Sequence, residues 1–217
     1  MKHLKREAVP KNWPIKRKGT TFVVKPNSNI ETGLPILVIL RDVLKIAQNR
    51  KEVKKAINSN DVLLNGKPIK KDKNSATLFD VLTIVPAKKN YKLILKENGK
   101  FDLEEISEKD SEKKISKIIG KKILKGKKVQ LNLLDGRNVL YDKEAKTNDS
   151  VVGNLKSKKI EKILPLQEKA KVFVFAGKHS GKKGEIEKLK LERKMASVKI
   201  SKDEKINVLI KQIVVVE

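Results

Sequence analysis

Excess positive charge along every stretch of the chain is the feature that most limits what these 217 residues can fold into. Lysine and arginine number 52 against 26 aspartates and glutamates, a net charge of +26. The excess is +6 over residues 1–33, +5 over 34–85, +8 over 86–168 and +7 over 169–217. No single tail holds it. A chain charged in this way repels itself until a polyanion neutralises it. With 38% hydrophobic and 36% charged residues, the apolar side chains suffice for several small cores rather than one large one. A multi-domain chain is therefore expected.

The spread of charge also sorts the function classes. It fits many contacts with a large polyanion better than the one basic cleft of an enzyme. Lysine supplies 46 of the 52 cations, and its compact ammonium group suits phosphates better than base edges. Nucleic acid is the expected partner. A basic membrane-surface protein would need an amphipathic helix with a broad apolar face, and the sequence offers none. The longest apolar run, Leu34 to Leu40, spans seven residues and includes Pro35, against the roughly 20 needed to cross a bilayer. The basic start, Met1 to Arg6, is not followed by an apolar signal core, so a soluble intracellular protein is expected. Cysteine is absent, which excludes disulfides and thiolate zinc sites. His3 and His179 stand far apart, and no carboxylate pair reads as a general acid and base. No metal, cofactor, small-molecule substrate or catalysis is expected.

Residues 1–33, with Pro10, Pro14 and Pro26 and little periodicity, read as an extended basic arm ordered only on its partner. Its Trp13 either packs on protein or stacks on a base. Over residues 34–88 the spacing of Leu37, Leu40, Leu44 and Ala47 predicts a helix. A second short helix follows, with Val53, Ala56 and Ile57 on one side and Arg50, Lys51, Lys54 and Lys55 on the other. Asp61 to Leu64 reads as a strand, and Asn65-Gly66 is a strong hairpin signal. Residues 89–168 read as a mostly-β central domain, with hairpins around Asn98-Gly99 and Asp135-Gly136 and a charged helix over 107–119. Residues 169–217 alternate short strands with turns, which predicts a small β-barrel.

The segment Gly177-Lys178-His179-Ser180-Gly181-Lys182-Lys183-Gly184 is rich in glycine and lysine, but it is not a nucleotide-hydrolase loop. Such a loop needs four residues between its glycines and a Ser or Thr after the lysine. Only three separate Gly177 from Gly181, and Lys183 occupies the hydroxyl position. What remains is strand, phosphate-friendly loop, strand.

Led by Lys171 to Ala176, that segment resembles the KOW motif of ribosomal and transcription-associated RNA binders. The helix–helix–hairpin over residues 35–73 resembles the S4-like RNA-binding module in Leu40-Arg41-Asp42-Val43-Leu44, Arg50, Val53 to Ile57 and Val62 to Lys67. Lys2 to Arg6, Ala8 to Trp13 and Val129 to Asn138 resemble the small-subunit ribosomal protein family S4e, as does the order of parts along the chain. An end at Glu217, soon after the predicted barrel, leans the resemblance toward archaeal members. It implies an α+β chain with an SH3-like barrel at its C-terminal end. It also implies a structural constituent of the small ribosomal subunit, with ribosomal RNA and neighbouring ribosomal proteins as partners in the cytoplasm. Two alternatives stand beside it. One is an RNA-modifying or RNA-chaperone protein built on an S4-like module, and the other is a non-specific nucleic-acid compacting protein.

The expected RNA-facing residues follow the same segments. In the arm they are Lys2, His3, Lys5, Arg6, Lys11, Trp13, Lys16 and Arg17. In the S4-like module they are Arg41, Lys45, Arg50, Lys51, Lys54, Lys55, Asn65, Gly66 and Lys67. Beyond it they are Arg137 in the central domain, and Lys178, His179, Lys182 and Lys183 in the KOW-like loop.

Overall fold

The computed structural model describes residues 3–141, 144–201 and 204–216, so Lys2 of the expected interface lies outside the described residues. Among the described residues the chain is mostly β with few helices. It gathers into two units, one of Met1–Lys96 with Lys100–Glu112 and one of Glu97–Gly99 with Lys113–Glu217.

In the first unit the arm folds back on itself. Strands β1 (Leu4–Lys5) and β2 (Phe22–Val23) pair antiparallel, Leu4 with Val23 and Lys5 with Phe22. The Arg6 guanidinium holds the intervening loop: Nε donates to the Thr20 carbonyl and Nη1 to the Lys16 carbonyl, both at 2.7 Å. Trp13 is 2% exposed, and its indole N–H donates to the Ile30 carbonyl at 3.2 Å. These contacts replace the extended arm of the sequence reading with a packed one. One buried indole supplies much of the apolar area the segment otherwise lacks.

Strand β3 (Gly33–Pro35) leads into α1 (Ile36–Val38), which widens at once into a π-helical turn over Ile39–Val43. The first helix therefore forms but is short, ending at Val43 before the Ala47 that the spacing includes. Residues Ile36 to Leu40 are all buried, at 0–3% exposure, so no solvent face enforces a 3.6-residue period, and three of the five are β-branched. The second helix forms as expected, α2 (Arg50–Asn58), with Val53 and Ile57 buried. Asn49 caps it: Oδ1 accepts from the Lys51 and Glu52 N–H groups at 2.9 and 3.0 Å, while Glu52 reaches back to the Gln48 N–H at 2.7 Å. This reciprocal arrangement fixes where the helix starts.

Strands β4 (Val62–Leu64) and β5 (Lys67–Pro68) flank the Asn65-Gly66 turn, and β6 (Ser75–Thr77) pairs with β3. Strands β7 (Val81–Ile84), β8 (Lys89–Leu95) and β9 (Phe101–Ile106) complete a five-stranded antiparallel sheet in the order β5-β4-β7-β8-β9. The two strands of the hairpin around Asn98-Gly99, which the sequence reading places in the central domain, therefore extend the sheet from β7 and belong to the first unit. A single turn, α3 (Glu108–Ser111), closes it, with the Ser107 hydroxyl accepting from the Asp110 N–H.

The second unit starts where the sequence predicts a helix and the chain forms its longest strand, β10 (Lys113–Ile123). It joins β11 (Val129–Leu133), β12 (Asn138–Leu140), β13 (Ser150–Asn154) and β14 (Ile160–Leu164) in the order β12-β11-β10-β13-β14. Two lysines of β10 are buried. Lys114 pairs with Asp135 at 2.7 Å, and the Lys117 ammonium donates to the main-chain carbonyls of Ile210 and Ile213. Paired charge and isoleucine, not amphipathic helix, is what the run Lys113 to Ile119 encodes.

A second five-stranded sheet follows: β15 (Lys171–Val174), β16 (Lys183–Lys190), β17 (Met195–Lys199), β18 (Lys205–Leu209) and β19 (Ile213–Val215), in the order β18-β17-β16-β15-β19. Val172, Val174, Ile186, Val198 and Ile213 form its core, joined by Val152 and Leu164 of the preceding sheet. A Cβ on Gly184 would lie 2.8 Å from Val198 Cγ1 and closer still to the Lys199 carbonyl oxygen. Replacing Gly184 with Ala should therefore push β16 from β17 and cost about 1–3 kcal/mol, measurable as a lower denaturant midpoint.

Burial lowers the Lys117 pKa from 10.5 to about 8. Between those values the unfolded chain holds more protons than the folded one, so this group's contribution to stability rises with pH across that window. Below pH 8 the buried charge is a standing cost. The stability of wild type relative to Lys117→Met should rise by about 1–3 kcal/mol from pH 7.5 to 10, checked by urea unfolding of both proteins at each pH.

Candidate nucleic-acid interface

A surface that binds RNA needs cations whose charge is not already spent, held on elements that do not move. The second helix supplies the best-formed group. With Val53 and Ile57 turned inward, Lys51, Lys54 and Lys55 are exposed, and no ion pair engages their side chains among the described residues. Arg50, at the first turn, donates from Nε to Asp72 at 2.5 Å, yet its side chain remains 49% exposed. Asp72 is buried, so this pair anchors the helix start while leaving guanidinium edge in solvent. Arg41 forks onto its neighbour Asp42, Nη2 to Oδ2 at 2.8 Å and Nε to Oδ1 at 3.1 Å, and this hydrogen-bonded pairing holds its pKa above the ordinary value. Lys45 lies past the π-helical turn, exposed, with φ of 55°.

The hairpin tip carries one structural and two exposed residues. Asn65 and Gly66 take φ of 51° and 73°, the left-handed pair that a two-residue hairpin demands. Asn65 Oδ1 accepts from the Val81 N–H at 3.0 Å and Nδ2 donates to Asp80 Oδ1 at 2.7 Å. Asp80 is buried and also accepts from the Thr77 N–H at 2.6 Å. Asn65 is thus consumed by the framework, whereas Gly66 and Lys67 are open to solvent.

Two arm residues named as RNA-facing are also consumed. Trp13 is buried against its own chain and presents no ring for stacking. Arg6 spends its guanidinium on Lys16 and Thr20. The loop it holds displays Lys16 and Arg17, and Lys11, His3 and Lys5 are exposed nearby in sequence.

In the second unit Arg137 stands 45% exposed beside Asp135, Nε to Oδ2 at 3.6 Å. Burial alone would push the Asp135 carboxyl up; the Lys114 ammonium, with help from Arg137, holds it below the usual range. In the loop between β15 and β16, Lys178 is exposed, His179 is half-buried and Lys182 pairs with Glu204, and Lys183, exposed, opens β16. The turn between β10 and β11 adds cations that no motif in the sequence marks. Lys122, Lys125 and Lys128 are exposed around it, beside Ile123 at 76% exposure. The signal was the run Lys121 to Lys128, dense in lysine around Gly126, hidden by reading the preceding stretch as helix. Among the described residues no group of three or more His, Cys, Asp or Glu side chains is placed to hold a metal ion. No helix there is long and apolar enough to cross a membrane.

Comparisons with known proteins point one way. The model of the ribosomal family S4e matches residues 87–160, and that of the RS4NT domain matches residues 1–28. The chain is 38% identical over 197 residues to the small ribosomal subunit protein eS4 of Methanocella arvoryzae, covering 89% of this chain and 83% of the relative. The eS4 of Nanoarchaeum equitans is 38% identical over 192 residues, covering 87% and 82%. Among solved structures, the crystal structure of the 30S ribosomal protein S4e from Thermoplasma acidophilum superposes with a TM-score of 0.74 at 24% identity, covering 86% of this chain and 95% of that one.

The Asn65 tie yields a test of the framework under this surface. Asn65→Ala leaves the buried Asp80 carboxylate short of a donor and the left-handed position without its best non-glycine residue. It should cost about 1–3 kcal/mol, read by thermal unfolding, whereas Lys67→Ala at the same tip should leave the melting temperature unchanged.

Proposed function

We infer the function from one premise: this chain belongs to the ribosomal family S4e. It is a structural constituent of the small ribosomal subunit, where it binds ribosomal RNA. The observation that carries the finer reading is the row Lys51, Lys54, Lys55 on α2. Like charges one turn apart repel within a helix, and among the described residues no acidic side chain pairs with these lysines, whereas a phosphate backbone would offset the repulsion.

On this reading the unit built around α2 and the Asn65-Gly66 hairpin is the S4-like module, gripping RNA through Arg50, Lys51, Lys54, Lys55, Gly66 and Lys67, with Arg41 and Lys45 at its rim. The sheet of β15 to β19 is the KOW-type, SH3-like barrel, presenting Lys178, His179, Lys182 and Lys183 from the loop after β15. Its support is the sheet order, the loop's position and the crowding that makes Gly184 a glycine. His3, Lys5, Lys11, Lys16 and Arg17 extend the grip from the arm, while Arg137 and the lysines of the β10–β11 turn extend it from the second unit. Affinity comes from counterion release over many phosphates, and selectivity from RNA shape rather than from reading paired bases. The work is binding, without catalysis or cofactor, on ribosomes in the cytoplasm, beside neighbouring ribosomal proteins.

Replacing Lys54 and Lys55 together with Glu reverses charge on the exposed side of α2 and leaves Val53 and Ile57 in place. The melting temperature should hold, while affinity for small-subunit ribosomal RNA should fall about tenfold or more and the salt slope should flatten by about one unit per lost contact. Thermal melting and filter binding across a salt series, run side by side, check this. A folded variant with unaltered RNA affinity would remove these lysines from the interface.

A further inference from the structure

Trp13 was the obvious ring for a base to stack on, and it is buried; the exposed aromatic surface of the arm lies elsewhere. In the β1–β2 ribbon the side chains alternate. Leu4, 5% exposed, and its cross-strand partner Val23 face inward, so Lys5 and Phe22, the next pair, face out. Phe22 is 58% exposed. The His3 ring stands beside it, centroids 5.7 Å apart and planes tilted by 56°. Two rings and an ammonium group thus share one outward face, next to the loop carrying Lys16 and Arg17 that Arg6 holds. A large aromatic side chain left in water in a chain with only 4% aromatic residues calls for an occupant.

We propose that this face, Phe22 flanked by His3 and Lys5, is a stacking platform for one unpaired RNA base. The inference rests on the ribosomal reading above and adds a contact of a different kind. The tilt of His3 leaves the open face of Phe22 as the plane on which the base lies, with His3 at its edge. The neighbouring cations select for a ring attached to phosphate rather than for an apolar protein side chain. A paired base cannot reach the platform, because both of its faces are already stacked, so the site takes a base turned out of a loop, bulge or strand end.

Phe22→Trp makes the platform report on itself. Trp13 is buried, so its emission stays constant on RNA binding and the new indole supplies the changing signal. In the full-length protein, a single-stranded adenosine dodecamer should quench the Phe22→Trp fluorescence and bind within about threefold of wild type. A fully paired RNA duplex of equal length should bind without quenching it. Phe22→Ala should lose about 5- to 100-fold in affinity for the single strand, and Phe22→Leu, which keeps apolar area but no π face, should lose nearly as much. Circular dichroism confirms that each variant is folded. Unquenched Phe22→Trp with RNA bound, or Phe22→Leu binding like wild type, overturns the platform while leaving the lysine interface standing. Failure of the wild-type protein to bind either RNA overturns both.

Discussion

Taking an ammonium group out of water costs several kcal/mol unless polar partners replace the hydration it loses, and the second unit does this twice within four residues of one strand. Lys114 is matched by the Asp135 carboxylate of the β11–β12 turn. Lys117 is matched only by neutral carbonyls, those of Ile210 and Ile213, at the short turn that joins β18 to β19. Lys114 reaches the turn of the β11–β12 hairpin and Lys117 the crossover between the edge strands β18 and β19, so the positions of Asp135 and of residues 210–213 are tied to where β10 lies. Ser150 on the adjacent strand adds a third tie, its hydroxyl accepting from the Val215 N–H at 2.9 Å. The two sheets of this unit are thereby held by polar contacts placed at their shared apolar core.

These same contacts explain where the sequence was legible. Turn chemistry carried over almost without loss. Asn65-Gly66, Asn98-Gly99 and Asp135-Gly136 each sit between paired strands, because a turn's conformational demand is local. The second helix and its Asn49 cap were equally readable. Helical periodicity overran the first helix, which ends at Val43 among buried residues, and failed where lysines face inward, at 113–119. A lysine in a sequence gives no sign of whether its ammonium points to water or to a carbonyl 96 residues away, as Lys117 does at Ile213. Strands β13 and β14 are not legible in the sequence because they lie in stretches without a sharp turn signal. The S4e resemblance was legible from short segments and is matched by family models over 1–28 and 87–160.

The candidate interface divides along the same line. Residue types that bind RNA are also the ones that satisfy a polar framework, and the sequence does not tell these roles apart. Arg6, Trp13 and Asn65 proved to be framework; each has fixed partners within its own unit. Lys51, Lys54 and Lys55 remain uncommitted, because the helix face opposite them is apolar and the cap at its start is made by Asn49 and Glu52. Placement of free charge thus follows from where apolar packing and capping have already been satisfied.

The Asn65-Gly66 turn has one more consequence, in the chemistry of protein ageing. An asparagine followed by glycine is prone to lose its amide, because the unhindered nitrogen of the next residue attacks the side-chain carbonyl carbon and closes a succinimide ring. Here both ends of the Asn65 amide are held, one by the Val81 N–H and the other by Asp80, which restrains the rotation that ring closure requires. Were deamidation to occur, the product would set a carboxylate where the amide now donates to the buried Asp80, and two negative charges would meet at hydrogen-bond distance. The hydrogen bonds that shape this hairpin therefore also guard its covalent integrity over the lifetime of the assembly it serves.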